Sequence, residues 1–511
     1  MSDRPDVAIW DTGATGYPAA PFHPGEAYPE YPFGEAIGPA NPVYAGMRAM
    51  LSSLELGSGS PGMPDWNPLA SVVLPGNTVI IKPNFVVSEH PKGQPGIEAA
   101  VVNGAVLRPL VDYVLVALQG HGRIIIADSP IKEVDFDRIV ELSGIGAVFH
   151  FCRQRLPAGV SLELLDFRDA QVRRNDSGFM EEWSPLPGDP AGYTAVDLSD
   201  RSMFHEIAPE HHRLRSTAVY YEDVMGQFHN PHHNIYSLPN TLLNADVVIS
   251  VAKLKTHRKG GITLTLKNAV GITNEKRGLP HHRVGSPSEG GDAVADNARM
   301  DAKLEDAFRD FMLSRPAGKV GLKLLGGPLR LLAGRVVKPL FRRLSPGRPA
   351  VTEGDWYGND TVWRMALDLN HALQFAGTDG TLHDTPQRRW LGIIDGVVAG
   401  EGEGPLFPDP KVCGVVVAGT HPVLTDIAAT RLMGYDWTYV PMLREGSDRT
   451  WPLRPPVAPG EMTVASNHPA WQHLLQTDDL PFRFEPTAGW RGHIELRRAP
   501  NAPTRAPGPQ S

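Results

Sequence analysis

The 511-residue sequence holds two cysteines, Cys152 and Cys413. That is too few for a disulfide framework, a Cys₄ zinc site or a self-contained iron–sulfur cluster. No apolar run approaches the ~20 residues that span a bilayer. The start, MSDRPDVAIWDTG, has no basic segment followed by an apolar core, so no secretory signal is read there. Excess positive charge is also lacking: 49 Lys and Arg stand against 57 Asp and Glu, a net charge of −8. Such a chain is a poor general nucleic-acid binder. These absences point to a cytoplasmic protein with no nucleic-acid partner. What it has in quantity is Gly and Pro, 52 and 48, about a fifth of the chain against the usual ~12%. Periodic segments between them predict a loop-rich globular protein.

Residues 1–68 read as an extended Pro- and aromatic-rich arm followed by a helix over 41–56. Short β-branched runs follow at 77–84, 122–130, 245–255, 261–268, 389–398 and 411–420. Several are apolar throughout, as strands covered on both faces are. Between the first two lies a helical pattern, 103–120, closing on Gly. This strand–helix–strand spacing is a βαβ unit and predicts a mostly parallel central sheet with helices on both faces. Core segments fall at 69–150, 241–291 and 353–498. Residues 151–240 read as an inserted α+β segment and 292–352 as a helical and basic insertion. The tail 499–511 reads as disordered.

In an open parallel sheet, ligands bind beyond the carboxyl ends of the strands. Here those ends carry polar groups repeatedly: Lys82 and Asn84; Asp128 and Ser129; Lys253, Lys255, Thr256 and His257; Asp395. Four such endings predict a shared polar crevice, with unrelated helix caps and surface pairs as the alternative. The segment 253–282 is densest. Lys253, Lys255, Lys267 and Lys276 suit phosphate or carboxylate, with Asn268 beside them. A solvated basic hairpin is the competing reading. Asp128, Asp395 and Glu401 are candidate ligands for a divalent cation, and Asp128, His257 and Asp395 are candidate catalytic groups, His257 as proton carrier.

Nine histidines fall between His205 and His282, yet no metal-spacing template fits. HEIAPEHH (205–212) has Pro209 where H-E-x-x-H needs its second His. GSGSPG (57–62) does not follow a strand, so it reads as a loop rather than a dinucleotide motif. The helix 358–373 reads either as one wall of the site or as an exposed polar face. Residues 311–352 carry nine Lys or Arg and no acid. That fits peripheral contact with an anionic membrane, an arm over an anionic substrate, or ordinary packing.

KPN (82–84), ADSP (127–130), AKLKTH (252–257), TLKNAVG (265–271), Asp395–Gly396 with EGEGP (401–405), and HPVLTDIAATRLMG (421–434) follow one another in an order that resembles domain-of-unknown-function family 362. The resemblance covers roughly 75–135 and 240–435 and implies an α/β core. Members with an added ferredoxin-like module are labelled iron–sulfur-centre proteins. This chain lacks that module's cysteines. GNDTVWRMALDLN and TPQRRWLGIIDG are similar to the subset of the family that accompanies surface-polysaccharide genes.

Together these readings give an enzyme acting on an anionic small molecule or phosphorylated sugar, by metal-assisted transfer or hydrolysis. Two alternatives stand beside it. One is a non-catalytic assembly protein at the membrane face. The other is a redox protein that relies on a partner's iron–sulfur centre.

Overall fold

The computed structural model describes residues 4–34, 36–174, 180–217, 224–313, 351–448, 450–477 and 480–496. Most of the basic stretch and the whole 499–511 tail lie outside the described residues.

The six β-branched runs join three strands not read from the sequence, at Val7–Asp11, Val160–Asp166 and Val464–Ser466, in one sheet of nine. They are β1 (Val7–Asp11), β2 (Thr78–Lys82), β3 (Gly122–Asp128), β4 (Val160–Asp166), β5 (Val247–His257), β6 (Gly261–Thr263), β7 (Arg389–Glu401), β8 (Asp409–Gly419) and β9 (Val464–Ser466). The order is β9-β1-β8-β7-β5-β2-β3-β4, with β6 paired to β5. β2, β3, β4, β5 and β7 are parallel neighbours. β8 runs against both its neighbours and β6 against β5. The fold is therefore α/β with a mostly parallel central sheet.

Side chains alternate across a strand, and the two sets enter different cores. Val79, Ile81, Ile124, Ile126, Val247 and Ile249 pack with the helices α1 (Pro42–Ser53), α3 (Gly104–Leu118) and α4 (Ile145–Arg153), while α2 (Gln94–Ala100) covers the same face. Ile80, Ile125 and Val248 pack on the opposite face against α6 (Val362–Phe375). Farther along that face Leu254, Ile394 and Val417 meet α7 (Pro422–Leu432). Burying both faces explains why the strands are apolar throughout.

Two expectations change. The run 261–268 has the pattern of one strand. It stops at Thr263 and becomes a single helical turn, α5 (Thr265–Asn268). The helix at 358–373 is neither an exposed face nor a wall of the cleft described below. Every residue of α6 is buried, because the inserted segment, the turns at 265–272 and residues 441–448 pack around it. Asp368 there accepts from Ser202 Oγ (2.5 Å), Met203 N (2.7 Å) and Tyr236 OH (3.1 Å).

Among the described residues no single helix is long and apolar enough to cross a membrane. α2 and α3 pass that test only as a pair bent by 49°, and α3 is a core helix.

Candidate functional site

From β2 the chain proceeds to β3 and β4 on one side, then returns to β5 and β7 on the other. The order reverses between β2 and β5, and the carboxyl ends there open a crevice, as in other parallel sheets. A cleft of about 340 Å³ lies at this point. Its polar lining includes Asn84, Asp128, Ser129, Lys255, His257, Lys267 and Asn268, with Lys259, Lys276 and His281. Phe85, Ile131, Val270, Leu279, Leu406 and Phe407 supply apolar walls. A second cavity of about 760 Å³ adjoins it, sharing Val86, Ile131, Glu133 and Phe407.

The floor is a buried hydrogen-bond network. Lys82, at the end of β2, pairs with Asp128 at 2.7 Å, both almost without exposure. Lys82 also donates to Asn268 Oδ1 (2.9 Å), and Asn84 Nδ2 donates to the same oxygen (3.2 Å). Asp128 accepts from Phe85 N (2.8 Å) and Ser129 N (2.9 Å). Gly271 passes so close that a Cβ there would meet Asp128 Oδ1 and stand 2.7 Å from Lys82 Nζ. Only glycine lets the backbone approach the pair this way.

Around this floor stand three buried ammonium groups. Lys255 Nζ donates to Ala100 O and to Pro405 O (3.2 Å). Lys276 Nζ donates to Ser129 O (2.7 Å) and Val270 O (3.3 Å). Lys267, on α5, has neither a hydrogen-bond nor an ion-pair partner among the described residues. None of the three has a carboxylate in ion-pair range among those residues. Burial, with neighbouring lysines adding to it, pulls Lys267 down to about 7. Burial also brings Lys276 to about 7 and holds Lys255 well below the usual lysine range. Loss of water penalises the charged form, and like charges compound it.

Two imidazoles stand over the same space. His257 Nδ1 accepts from Lys259 N and Gly260 N, both at 3.1 Å, which leaves its proton on Nε2. His281 pairs Nδ1 with Leu279 O at 2.9 Å. A carbonyl only accepts, so Nδ1 carries the proton and Nε2 is left with a lone pair. Burial, then the Lys267 charge, keep both rings neutral: His257 falls well below its usual range and His281 to about 3.

The remaining candidates lie elsewhere. Lys253 and Asp395 are register partners on β5 and β7. They form a fully buried ion pair at 2.9 Å, away from the cleft lining. Tyr17 of the N-terminal arm accepts from Lys253 (2.6 Å) and donates to Asp395 (2.6 Å), which also accepts from Asn103 N (3.0 Å) at the start of α3. Thr256 donates to Gly402 O (2.8 Å) and does not line the cleft. Glu401 pairs with Lys411 (2.8 Å). Asp128, Asp395 and Glu401, grouped above as metal ligands, thus sit in three separate ion pairs. Among the described residues no group of three or more His, Cys, Asp or Glu is arranged to hold a metal, the histidines of 205–282 included.

Sequence reasoning did not single out Phe85, Gly271 or Tyr17. Only Gly271 carried a signal, as a glycine inside a polar motif. Tyr17 lies 378 positions from Asp395, and no local pattern joins them.

The family described as Domain of unknown function (DUF362) matches residues 79–196 and 201–431. The chain belongs to the DUF362 family. No curated protein matches it. The crystal structure of a protein from Thermotoga maritima is similar at 9% identity with a TM-score of 0.29, over 73% of this chain and 53% of that one. The chain spans about half the length of that solved protein.

Proposed function

We propose that the chain is an enzyme acting on a small anionic molecule, a phosphate or carboxylate compound such as a phosphorylated sugar, held in the lysine-lined cleft. The observation that carries this reading is the set of three buried lysines, Lys255, Lys267 and Lys276, around one cavity with no carboxylate in ion-pair range of any of them among the described residues; of the carboxylates that line the cleft, Asp128 is paired with Lys82, Asp355 with Lys259 and Glu403 with Arg258, and Glu133 and Glu353 complete the set. Buried charge is costly unless paired, and a bound anion supplies the missing partner. The Asn84 Oδ1 and Thr263 Oγ1 atoms, both in the cleft lining, are buried without a partner. They offer an acceptor and a hydroxyl to the same ligand. His257, which lines the cleft, is neutral with its proton on Nε2, and that N–H suits it to hydrogen-bond the bound compound.

A divalent cation is a poor fit at this position. Asp128 is already neutralised by Lys82, and the surrounding ammonium groups repel a cation. The apolar walls and the adjoining cavity leave room for a ligand with an uncharged body beyond its anionic head.

Inorganic phosphate tests the reading. It raises the melting temperature of the full-length protein in proportion to the logarithm of its concentration, as a ligand bound only by the folded state must. Lys276→Ala and Lys255→Ala diminish that rise. An unchanged melting temperature with both phosphate and pyruvate overturns the proposal.

A further inference from the structure

The lysines of the cleft fall into two chemical kinds. Lys82 is held by Asp128. Lys255 and Lys276 each donate to two backbone carbonyls, an arrangement that fixes the ammonium and makes it an anion clamp. Lys267 alone among these four makes no such bond, although it is only 8% exposed. Lys267 lines the cavity, and α5, which carries it, is held in place: Asp426 accepts from Thr265 N (2.9 Å), Thr265 Oγ1 (2.6 Å) and Leu266 N (2.9 Å). A lysine desolvated beside other cations loses its proton near neutral pH and becomes a nucleophile, and Lys267 sits at about 7.

We infer that Lys267 is a covalent catalytic residue that condenses with an aldehyde or ketone group of the anionic substrate to form an iminium ion. This rests on the anion-binding reading and names the substrate class within it, a carbonyl compound bearing phosphate or carboxylate. The neutral Lys267 amine attacks the carbonyl carbon, forming the C–N bond. The nitrogen gives up one proton, for which the His281 Nε2 lone pair is the available acceptor. The His281 imidazolium returns that proton to the carbonyl oxygen, which His257 Nε2–H steadies by a hydrogen bond without losing its own proton. The carbinolamine oxygen then takes from solvent the proton that the Lys267 ammonium had released and leaves as water, giving the iminium. The sum is carbonyl plus protonated amine giving iminium plus water, with no oxidant or reductant. Lys255 and Lys276 hold the anionic group meanwhile. The iminium then serves as an electron sink for bond breaking beside the former carbonyl carbon.

The test uses the full-length protein at neutral pH with pyridoxal 5′-phosphate, an aldehyde with a phosphate, followed by borohydride reduction and peptide mapping. Pyridoxal is the phosphate-free control, and pyruvate with cyanoborohydride is the carboxylate arm. The expected result is selective labelling of Lys267 by pyridoxal phosphate or pyruvate, with pyridoxal at least roughly tenfold slower once the charge-assisted contacts are missing. Excess inorganic phosphate suppresses the labelling. Lys267→Arg removes it while keeping a phosphate-dependent rise in melting temperature. Labels confined to exposed lysines such as Lys92, with phosphate still stabilising the protein, overturn the iminium and leave the anion cleft standing. Absence of both labelling and stabilisation overturns the two together.

Discussion

Lys267 and Lys276 make the protein's stability depend on pH in a definite direction. Both fall to about 7 in the folded state and return to ~10.4 when the chain unfolds. Between those values the unfolded chain binds more protons, so folding stability rises with pH, by about 1.4 kcal/mol per unit for each lysine. Below 7 both states are protonated and the gain is absent. The charged and titratable neighbours of these lysines are Lys82, Lys132, Arg168, Lys255, Lys259, Asp128, His257 and His281, and Glu133, Glu353, Asp355 and Glu403 line the same cleft. The histidines are neutral throughout this range, so they do not reverse the slope. Chemical denaturation of the ligand-free protein is expected to give higher stability at pH 9 than at pH 7, with Lys267→Met flattening the rise. A stability that falls over that interval contradicts the burial of unpaired ammonium groups. Phosphate favours the protonated lysines, so the stabilisation it confers shrinks as pH rises.

At the scale of elements, the site depends on one short turn. α5 is four residues long, too short to be stable on its own. Asp426, from the first turns of α7, takes up the two leading N–H groups and the Thr265 hydroxyl. Asp426→Ala leaves those donors unpaired in the core and is expected to cost about 1–3 kcal/mol, measured by urea denaturation, with loss of the phosphate effect on melting. A variant that keeps both full stability and the phosphate effect contradicts this account of α5. The same contact explains where sequence reading stopped. The β-branched strands were legible because each follows a local rule, a short apolar run bounded by turn residues. ITLTL obeys it too. Its second half became helical only because a carboxylate some 160 residues away captured its N–H groups. α6 misled in a similar way. Asp368 and His371 suit either a wall of the site or a polar surface by spacing alone, yet both are buried, Asp368 by partners from the inserted segment.

Over the whole molecule, the sheet order was implied only in part. The βαβ spacing gave the parallel core, but the reversal between β2 and β5 appears only once distant strands pair. That reversal divides the polar strand ends into two centres. Lys82, Asp128, Lys255, His257 and Lys267 belong to the cleft, whereas Lys253 and Asp395 meet across β5 and β7 beneath the N-terminal arm. This second centre is best understood as an anchor, since Tyr17 satisfies both its charges. Tyr17→Phe is expected to lower stability by about 1–3 kcal/mol in guanidinium unfolding while leaving the phosphate-induced rise in melting temperature intact. Loss of the phosphate effect with unchanged stability would place Lys253 and Asp395 in the binding site instead.

The proposed function requires that the β2–β5 cleft receive an anion through Lys255, Lys267 and Lys276. Crystals of the full-length protein soaked in tungstate, a heavy analogue of phosphate, test it most directly by anomalous diffraction. A strong peak is expected inside the cleft, within hydrogen-bond reach of the Lys267 and Lys276 ammonium groups. Tungstate bound only at surface arginines, with the cleft holding water alone, contradicts it.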